Sequence, residues 1–149
     1  MNGFAILEVD RILQIVRTWA ETQPKIHAVA LVGSWARGQA RLDSDIDLML
    51  LTPQPELFFL DFDWFSCLSW HKLELEVINY CDRTYGVVKS RHLYFNQGQR
   101  IEFSFGCTNW ANTNPIDSGT FTVASSGLRI IYDPHRLLTN LITTIEKIS

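Results

Sequence analysis

The stretch that decides the fold and the chemistry is residues 33–51, GSWARGQARLDSDIDLMLL. Asp45 and Asp47 open an apolar run that indicates a buried strand, and side chains two apart in a strand share a face. The two carboxylates should therefore stand side by side, while Ile46 and Leu48 point into the core. Because like charges held this close repel each other, the pair predicts a divalent cation with oxygen ligands.

The small residues at the start of this stretch predict a place for phosphate. IHAVALV (26–32) indicates a central strand covered on both faces, and it leads into Gly33 and Ser34. We expect Ser34 to be the N-cap of a short helix over residues 35–42. Free amides, a hydroxyl and a positive helix end would then face the phosphates that complete the coordination of Mg²⁺.

Length and composition narrow the class of protein. The chain has 149 residues, and we expect a single domain over 1–149. A net charge of −3 without a basic run argues against binding to duplex nucleic acid. Three widely spaced cysteines suggest reduced thiols rather than a disulfide framework. With neither a signal-peptide pattern nor an apolar run long enough for a membrane span, a cytoplasmic location is expected.

The hydrophobic pattern predicts an α/β (α+β) domain with a mixed sheet of about five strands and flanking helices. Residues 7–23 should form a helix that Pro24 ends, and Asp133 with Pro134 should start the last helix. Asn96 and Gly98 should supply the positive φ of a tight hairpin turn. An irregular or amphipathic segment is expected over 56–69 and a polar loop over 107–120. The predicted strands are 26–32, 45–51, 73–80, 87–95, 100–106 and a short one in LRIIYD (128–133).

The motif as a whole resembles a known family. Gly33, Ser34, ten residues, Asp45, one residue and Asp47 form a pattern similar to the signature of the nucleotidyltransferase superfamily, which includes DNA polymerase beta, antibiotic adenylyltransferases and minimal nucleotidyltransferases. GSWARG and SDIDL are typical of the minimal and antibiotic-modifying branches. The resemblance is strong over 27–51, fair over 85–106 and weak elsewhere, and it implies the nucleotidyltransferase fold.

A third carboxylate on a later strand completes the metal site of that family, and the resemblance carries it to Glu102. HLYFNQGQRIEFSF is similar to the segment that holds this acid in streptomycin-type adenylyltransferases, although Glu here replaces the commoner Asp. Alternation supports the assignment, because Ile101, Phe103 and Phe105 should face inward and leave Glu102 on the other face. Glu74 or Glu76 in LELEV remains an alternative.

The resemblance implies a two-metal mechanism. Asp45, Asp47 and Glu102 would hold two Mg²⁺ ions, and a nucleoside monophosphate, AMP from ATP, would pass to a hydroxyl acceptor with release of pyrophosphate. Gly33 and Ser34 would hold the β and γ phosphates.

Two arginines are further candidates for contact with the nucleotide. Arg37 would lie beside the phosphate turn, but it could instead stabilise the short helix or pair with Asp43. Arg91 and Lys89 share one face of the strand before Glu102, and a solvated strand face is at least as good an explanation of them.

The resemblance also suggests an acceptor. Minimal nucleotidyltransferases of this size often act as antitoxins beside a helical HEPN-type toxin, which they modify with AMP, so a partner toxin is the leading expectation. The alternatives are a small-molecule adenylyltransferase of the aminoglycoside or lincosamide type, and a non-catalytic module that binds a nucleotide or a partner. A homo-oligomer is compatible with all three, and no membrane partner is expected.

Overall fold

One mixed β-sheet organises the protein. The computed structural model describes residues 3–41, 43–61 and 63–148. Within these residues the sheet has six strands in the order β3-β4-β5-β2-β1-β6, and every neighbouring pair is antiparallel except β2 and β5. The strands are β1 (Ala28–Val32), β2 (Ile46–Leu51), β3 (Val77–Tyr85), β4 (Val88–Phe95), β5 (Arg100–Gly106) and β6 (Arg129–Tyr132). The mixed sheet is confirmed, with six strands where about five were expected.

Helices flank the sheet on both sides. The α-helices are α1 (Gly3–Glu21), α2 (Gly33–Arg37), α3 (Leu57–Leu60), α4 (Ser118–Ser126) and α5 (Leu137–Ile148), and short 3₁₀ turns span Trp64–Cys67, Trp70–Leu73 and Thr108–Ala111. The predicted first helix is present, and its apolar stripe through Ile12, Leu13 and Val16 is buried. No helix among the described residues combines the length and the apolar character that crossing a bilayer requires.

The two faces of the sheet differ in chemistry. The apolar face bears Leu48, Arg91 and Phe103, and it is covered by α1 and the aromatic segment 57–75. The carboxylate face bears Asp47 and Glu102, and α5 packs on its β1 side through a second apolar cluster. At the opposite edge of the sheet from β6, most residues of strand β3 are exposed. All five residues of β1 are buried, as a strand covered on both faces should be.

The start of α2 differs from the prediction. The helix begins at Gly33, its N-cap is Val32, and no side chain caps it, so Ser34 lies inside the first turn rather than at the N-cap. The helix ends at Arg37 instead of running over 35–42, because Gly38 adopts a left-handed φ of +72° and its N–H bonds back to the Ser34 carbonyl. Leu42, at the end of the predicted helix, lies outside the described residues.

The strand predicted over 73–80 is shifted toward the C-terminus. The 3₁₀ turn Trp70–Leu73 closes on Glu74, which has φ +58°, and β3 begins only at Val77. Leu75 is buried, so the alternation in LELEV reflects a turn that tucks one leucine into the core and not a strand. The segment over 56–69 contains α3 and a 3₁₀ turn, while its residue Phe62 lies outside the described residues.

The hairpin of β4 and β5 forms as predicted. Gly98 has φ +93° in its turn, whereas Asn96 keeps a negative φ and uses its side chain instead. The Asn96 amide oxygen accepts from the Glu76 N–H at 2.9 Å, and its nitrogen donates to the Glu74 carbonyl at 3.3 Å. Asn96 therefore ties the hairpin turn to the segment that leads into β3.

The C-terminal part contains one element that the sequence pattern did not indicate. The predicted loop over 107–120 runs into α4, which starts at Ser118 and is capped by the Asp117 side chain, an acceptor of the Thr120 N–H at 3.1 Å. Asp133 does act as a cap for the last helix, because its carboxylate accepts from the Leu138 and Thr139 amides. The helix itself begins at Leu137, three residues after Pro134.

Candidate active site

Strand register brings two of the predicted carboxylates side by side. β2 and β5 run parallel, and Asp47 pairs with Glu102 in the ladder. Paired residues on neighbouring strands share a face and lie about 4.8 Å apart in the backbone. Asp45 immediately precedes β2, which begins at Ile46. The sheet therefore gathers acids from two distant stretches of sequence on the carboxylate face.

The glycine of the motif lies against one of these acids. Val32, the last residue of β1, pairs with Asp47, so Gly33 follows directly beside it. Gly33 has φ +73°, and a Cβ placed on it would lie 2.2 Å from Asp47 Oδ2. No side chain fits in that space, and the left-handed backbone disfavours one as well. The glycine thus lets the chain turn next to the carboxylate.

The surroundings of Asp47 favour the protonated form of its carboxyl group and so raise its pKa. The pKa of its carboxyl is raised from 3.8 to about 7, chiefly by burial and then by the negative charges of Glu102 and Asp45. The positive charge of Arg37 opposes this rise. The carboxylates therefore act on one another as a cluster of like charges, which a bound cation would relieve.

Asp45 has a cationic neighbour from β5. Arg100 Nε lies 2.7 Å from Asp45 Oδ1, and both side chains are partly exposed, at 47% and 36%. The N–H is not aligned with this oxygen, which is buried and has no hydrogen-bond partner among the described residues. Arg100 Nη2 also donates to the Asp43 carbonyl. Asp45 is therefore charge-compensated by a partly exposed arginine that also bonds to the Asp43 backbone.

Glu102 is held from the neighbouring strand and from its own. Ser104 Oγ donates to Glu102 Oε1 at 2.9 Å, and the Ser90 hydroxyl bonds to Ser104 Oγ at 2.7 Å. His92 Nε2 lies 3.0 Å from Glu102 Oε2. Since that nitrogen has no aligned hydrogen-bond partner among the described residues, the contact is close but not well directed. Both oxygens of Glu102 are thus in contact with protein groups.

These contacts explain why the acids do not form a finished metal site. In the residues that the structure describes, no group of three or more His, Cys, Asp or Glu side chains is arranged to hold a metal ion. Asp45 lies against Arg100, and Glu102 lies against His92 and Ser104. The donor set itself consists of carboxylate oxygens, the ligands that Mg²⁺ prefers. The chemistry fits a hard cation, while the side-chain directions are those of a protein without one.

The candidate nucleotide contacts are only partly gathered at this place. Gly33, Ser34 and Arg37 all lie on α2, which contacts both β1 and β2. Arg37 is exposed and donates from Nε to Gln39 Oε1 at 3.5 Å, and its charge acts on Asp47. The turn and one of the two arginines are therefore close to the carboxylates.

Arg91 is not brought to the carboxylates. It pairs with Phe103 on the apolar face, its side chain is fully buried, and it forms a bidentate ion pair with Asp82 at 2.8 and 3.0 Å. Lys89 lies on the same face, as its spacing predicted, and its Nζ is 4.5 Å from the Phe59 ring centroid. Register decides this placement, because Glu102 pairs with His92 and leaves Arg91 on the other side.

The alternative third acids lie far from Asp47. Glu76 is exposed and precedes β3, the edge strand, so β4 and β5 separate that strand from β2. Glu74 is exposed as well. Of the three glutamates considered, Glu102 alone pairs with Asp47 in the ladder.

The sequence reasoning did not assign His92 and Arg100 to the site. The signal was available in the hairpin, because a turn at residues 96–99 opposes Glu102 to a residue near His92 in antiparallel pairing. A one-residue shift in the pairing of β4 with β5 would have placed Arg91 instead of His92 opposite Glu102. The turn type, which sets that pairing, therefore had to be known before the partner of Glu102 could be named.

The comparisons with known proteins agree with this geometry. A family model described as a nucleotidyltransferase domain matches residues 9–95, which is more than half of the chain. The match includes the glycine turn, Asp45 and Asp47, while Glu102 lies beyond it. No curated protein matches the chain.

Proposed function

Because the chain belongs to the nucleotidyltransferase family, we propose that it transfers a nucleoside monophosphate, AMP from ATP, to a hydroxyl acceptor and releases pyrophosphate. The observation that carries this proposal is the register of β2 and β5, which pairs Asp47 with Glu102 beside the turn at Gly33. Two acids next to a small-residue turn are what a metal–triphosphate complex needs from a protein.

Mg²⁺ is the proposed cofactor, as two ions held by Asp45, Asp47 and Glu102. When bound, the ions would neutralise charge on the triphosphate and activate the acceptor hydroxyl. The raised pKa of Asp47 supports a cation at this place, since burial and two neighbouring carboxylates disfavour its charge when no cation is present.

The phosphate contacts are proposed to come from α2. Gly33 carries the backbone past Asp47 without a side chain, so a phosphate could approach the amides there. Ser34 would offer its hydroxyl, and Arg37 is exposed and donates a long hydrogen bond of 3.5 Å to Gln39. Arg91 has no part in the proposed binding, because it is buried against Asp82 on the apolar face.

The acceptor is proposed to be a hydroxyl on a partner protein, for which a HEPN-type toxin is the leading expectation. The exposed strand β3 supports this, since it continues the carboxylate face beyond His92 and leaves room for a macromolecule. A cavity of about 560 Å³ at the Gly106 end of β5, lined by Trp110 and Asn109 among others, favours a small-molecule acceptor as the second candidate.

A non-catalytic binding module is the third candidate. It is favoured by the ion contact of Arg100 with Asp45, which places a cationic side chain on one of the acids. Binding and turnover measurements separate it from the two enzymes.

The test begins with calorimetric titration of ATP with and without Mg²⁺. Asp45→Asn and Asp47→Asn should each abolish the metal-dependent part of ATP binding, whereas Asp63→Asn, a change at an exposed acid outside the site, should not. Metal-dependent binding that survives both changes would refute the metal-site assignment.

Transfer is then followed with α-labelled ATP and the co-purified partner. Glu102→Gln should suppress labelling of the partner by about 100-fold or more, while Glu76→Gln, at an exposed acid beside β3, should leave it intact. ATP binding without transfer to any co-purified protein or hydroxyl compound would favour the binding module.

A further inference from the structure

The hydrogen-bonded pair of serines and a histidine around Glu102 has no role in the function proposed above. Ser90 pairs with Ser104, and His92 pairs with Glu102, on neighbouring antiparallel strands. Paired residues share a face, so all four side chains lie on the carboxylate face. The hairpin therefore builds a polar network around one acid.

The two oxygens of Glu102 are contacted from different sides. Ser104 Oγ donates to Oε1 at 2.9 Å, and His92 Nε2 lies 3.0 Å from Oε2. A glutamate has one more side-chain torsion than an aspartate, so its carboxylate needs more fixing to occupy a defined position. Two contacts to two oxygens supply that fixing.

The burial of His92 is the second observation. Its side chain is 11% exposed, and the ring nitrogen near Glu102 has no aligned hydrogen-bond partner among the described residues. Buried polar atoms are normally satisfied, so a buried, unaligned nitrogen 3.0 Å from Glu102 points to a role at that acid.

We propose that His92 is a positioning residue that fixes the Glu102 carboxylate for its contact with the metal, and that Ser104 assists from the other oxygen. This inference rests on the proposed function, because it requires Glu102 to be the third acid of the site. Groups that orient a metal ligand in this way typically change metal affinity or activity by 10–100-fold when removed.

The first experiment measures the affinity of the nucleotide-free protein for Mn²⁺ by electron paramagnetic resonance. His92→Phe keeps the ring and removes its nitrogens, so the affinity should fall about 10–100-fold. His92→Gln keeps an N–H donor near the place of Nε2, so the affinity should recover most of that loss. Tyr94→Phe, on the same face of β4, is the matched control and should leave the affinity unchanged.

A double-mutant cycle tests whether His92 acts through Glu102. His92→Phe added to Glu102→Gln should weaken Mn²⁺ binding no further than Glu102→Gln alone, since a positioning residue has nothing left to position. Fully additive losses would overturn the proposal. If His92→Phe fails to fold, Ser104→Ala takes its place in the same cycle, with the same two outcomes.

Steady-state kinetics of nucleotide transfer provide a measurement that would not change if His92 had a purely structural role. His92→Phe should lower kcat about 10–100-fold and leave KM for ATP nearly unchanged, and His92→Gln should restore kcat. Equal loss in His92→Gln and His92→Phe would contradict the inference.

The proposed function and this inference fail in different ways. Mn²⁺ affinity unchanged by Asp45→Asn and Asp47→Asn would refute the metal site itself. Affinity reduced by those changes and by Glu102→Gln, but not by His92→Phe or Ser104→Ala, would refute only the positioning role.

Discussion

The two faces of the sheet treat buried charge in opposite ways. On the apolar face, Arg91 is fully buried and donates two hydrogen bonds to its carboxylate partner Asp82, with aromatic rings around the guanidinium. On the carboxylate face, Asp47 carries a pKa raised to about 7 by burial and by two neighbouring acids. The apolar face pairs its charge through two aligned hydrogen bonds, whereas the carboxylate face gathers two further acids around Asp47.

The difference separates stability from function. An ion pair with two aligned hydrogen bonds offsets the desolvation of its buried arginine, while the side chain of Asp82 stays 29% exposed, so Arg91 and Asp82 need no further partner. Burial and two neighbouring carboxylates raise the pKa of Asp47 and so disfavour its charged form, and groups perturbed in this way are typical of functional sites. The same sheet therefore holds a structural charge and a candidate catalytic cluster on opposite sides of neighbouring strands.

The largest effect on the free energy of unfolding is expected from a substitution on the apolar face. Arg91→Ala should lower the free energy of unfolding by about 3–5 kcal/mol, because it leaves Asp82 without its partner and removes a buried side chain. Urea unfolding monitored by circular dichroism measures the change. Arg17→Ala, which breaks an exposed pair with Glu21, is the control and should cost less than about 0.5 kcal/mol. Equal effects would show that the Arg91 pair is not structural.

The second prediction compares alanine substitutions at two glycines with nearly the same φ, Gly33 at +73° and Gly38 at +72°. Alanine at either position should cost about 1–2 kcal/mol, because both residues have left-handed backbone. At Gly33 the new Cβ would also meet Asp47 Oδ2, whereas no atom lies within 4 Å of it at Gly38. Gly33→Ala alone should therefore weaken Mn²⁺ binding, by about 10–100-fold. The same loss in Gly38→Ala would remove the link between the turn and Asp47.

The raised pKa of Asp47 predicts a pH dependence of stability in metal-free buffer with a chelator. A carboxyl whose pKa is raised on folding contributes stability that is fully present below its unfolded pKa of 3.8 and is lost as pH rises through about 7. Asp47→Asn cannot lose a proton, so its advantage over wild type should grow between about pH 4 and 7 and then level off.

The size of that advantage should be about 1–2 kcal/mol, below the ~4 kcal/mol of the whole shift, because the group is partly hydrated. Urea unfolding at a series of pH values measures it, with Asp63→Asn as the exposed control. A difference that stays constant over this range would mean that Asp47 is not buried among like charges.

The smallest expected effect on stability is at Arg100. Arg100→Gln should change the free energy of unfolding by less than about 0.5–1 kcal/mol, since its pair with Asp45 is partly exposed. It should nevertheless tighten Mn²⁺ binding by about 5-fold, the equivalent of ~1 kcal/mol, because a competing cation leaves Asp45. Weaker binding would show that Arg100 supports the site instead of covering it.

Local patterns predicted most of the elements. The apolar stripe of α1, the buried run of β1 and the hairpin of β4 and β5 were all legible, because spacing and turn residues report burial and direction over short distances. The strand predicted to start in LELEV was wrong at its beginning, because two leucines in alternation fit a turn as well as a strand. α4 was missed because its apolar residues do not form a stripe, and the Asp117 cap that starts it was embedded in a polar loop.

The sequence by itself determined a candidate site at residues 33–51: a turn that needs glycine, two aspartates one residue apart, and an apolar run that anchors them. Tertiary structure alone decided which distant groups join them. The parallel register of β2 and β5 selected Glu102 over Glu76, and the register of the hairpin put His92 beside Glu102 and Arg91 on the opposite face. The physical reason is the two-residue period of a strand, because one step of register moves a side chain through the sheet, and only the assembled sheet fixes that step.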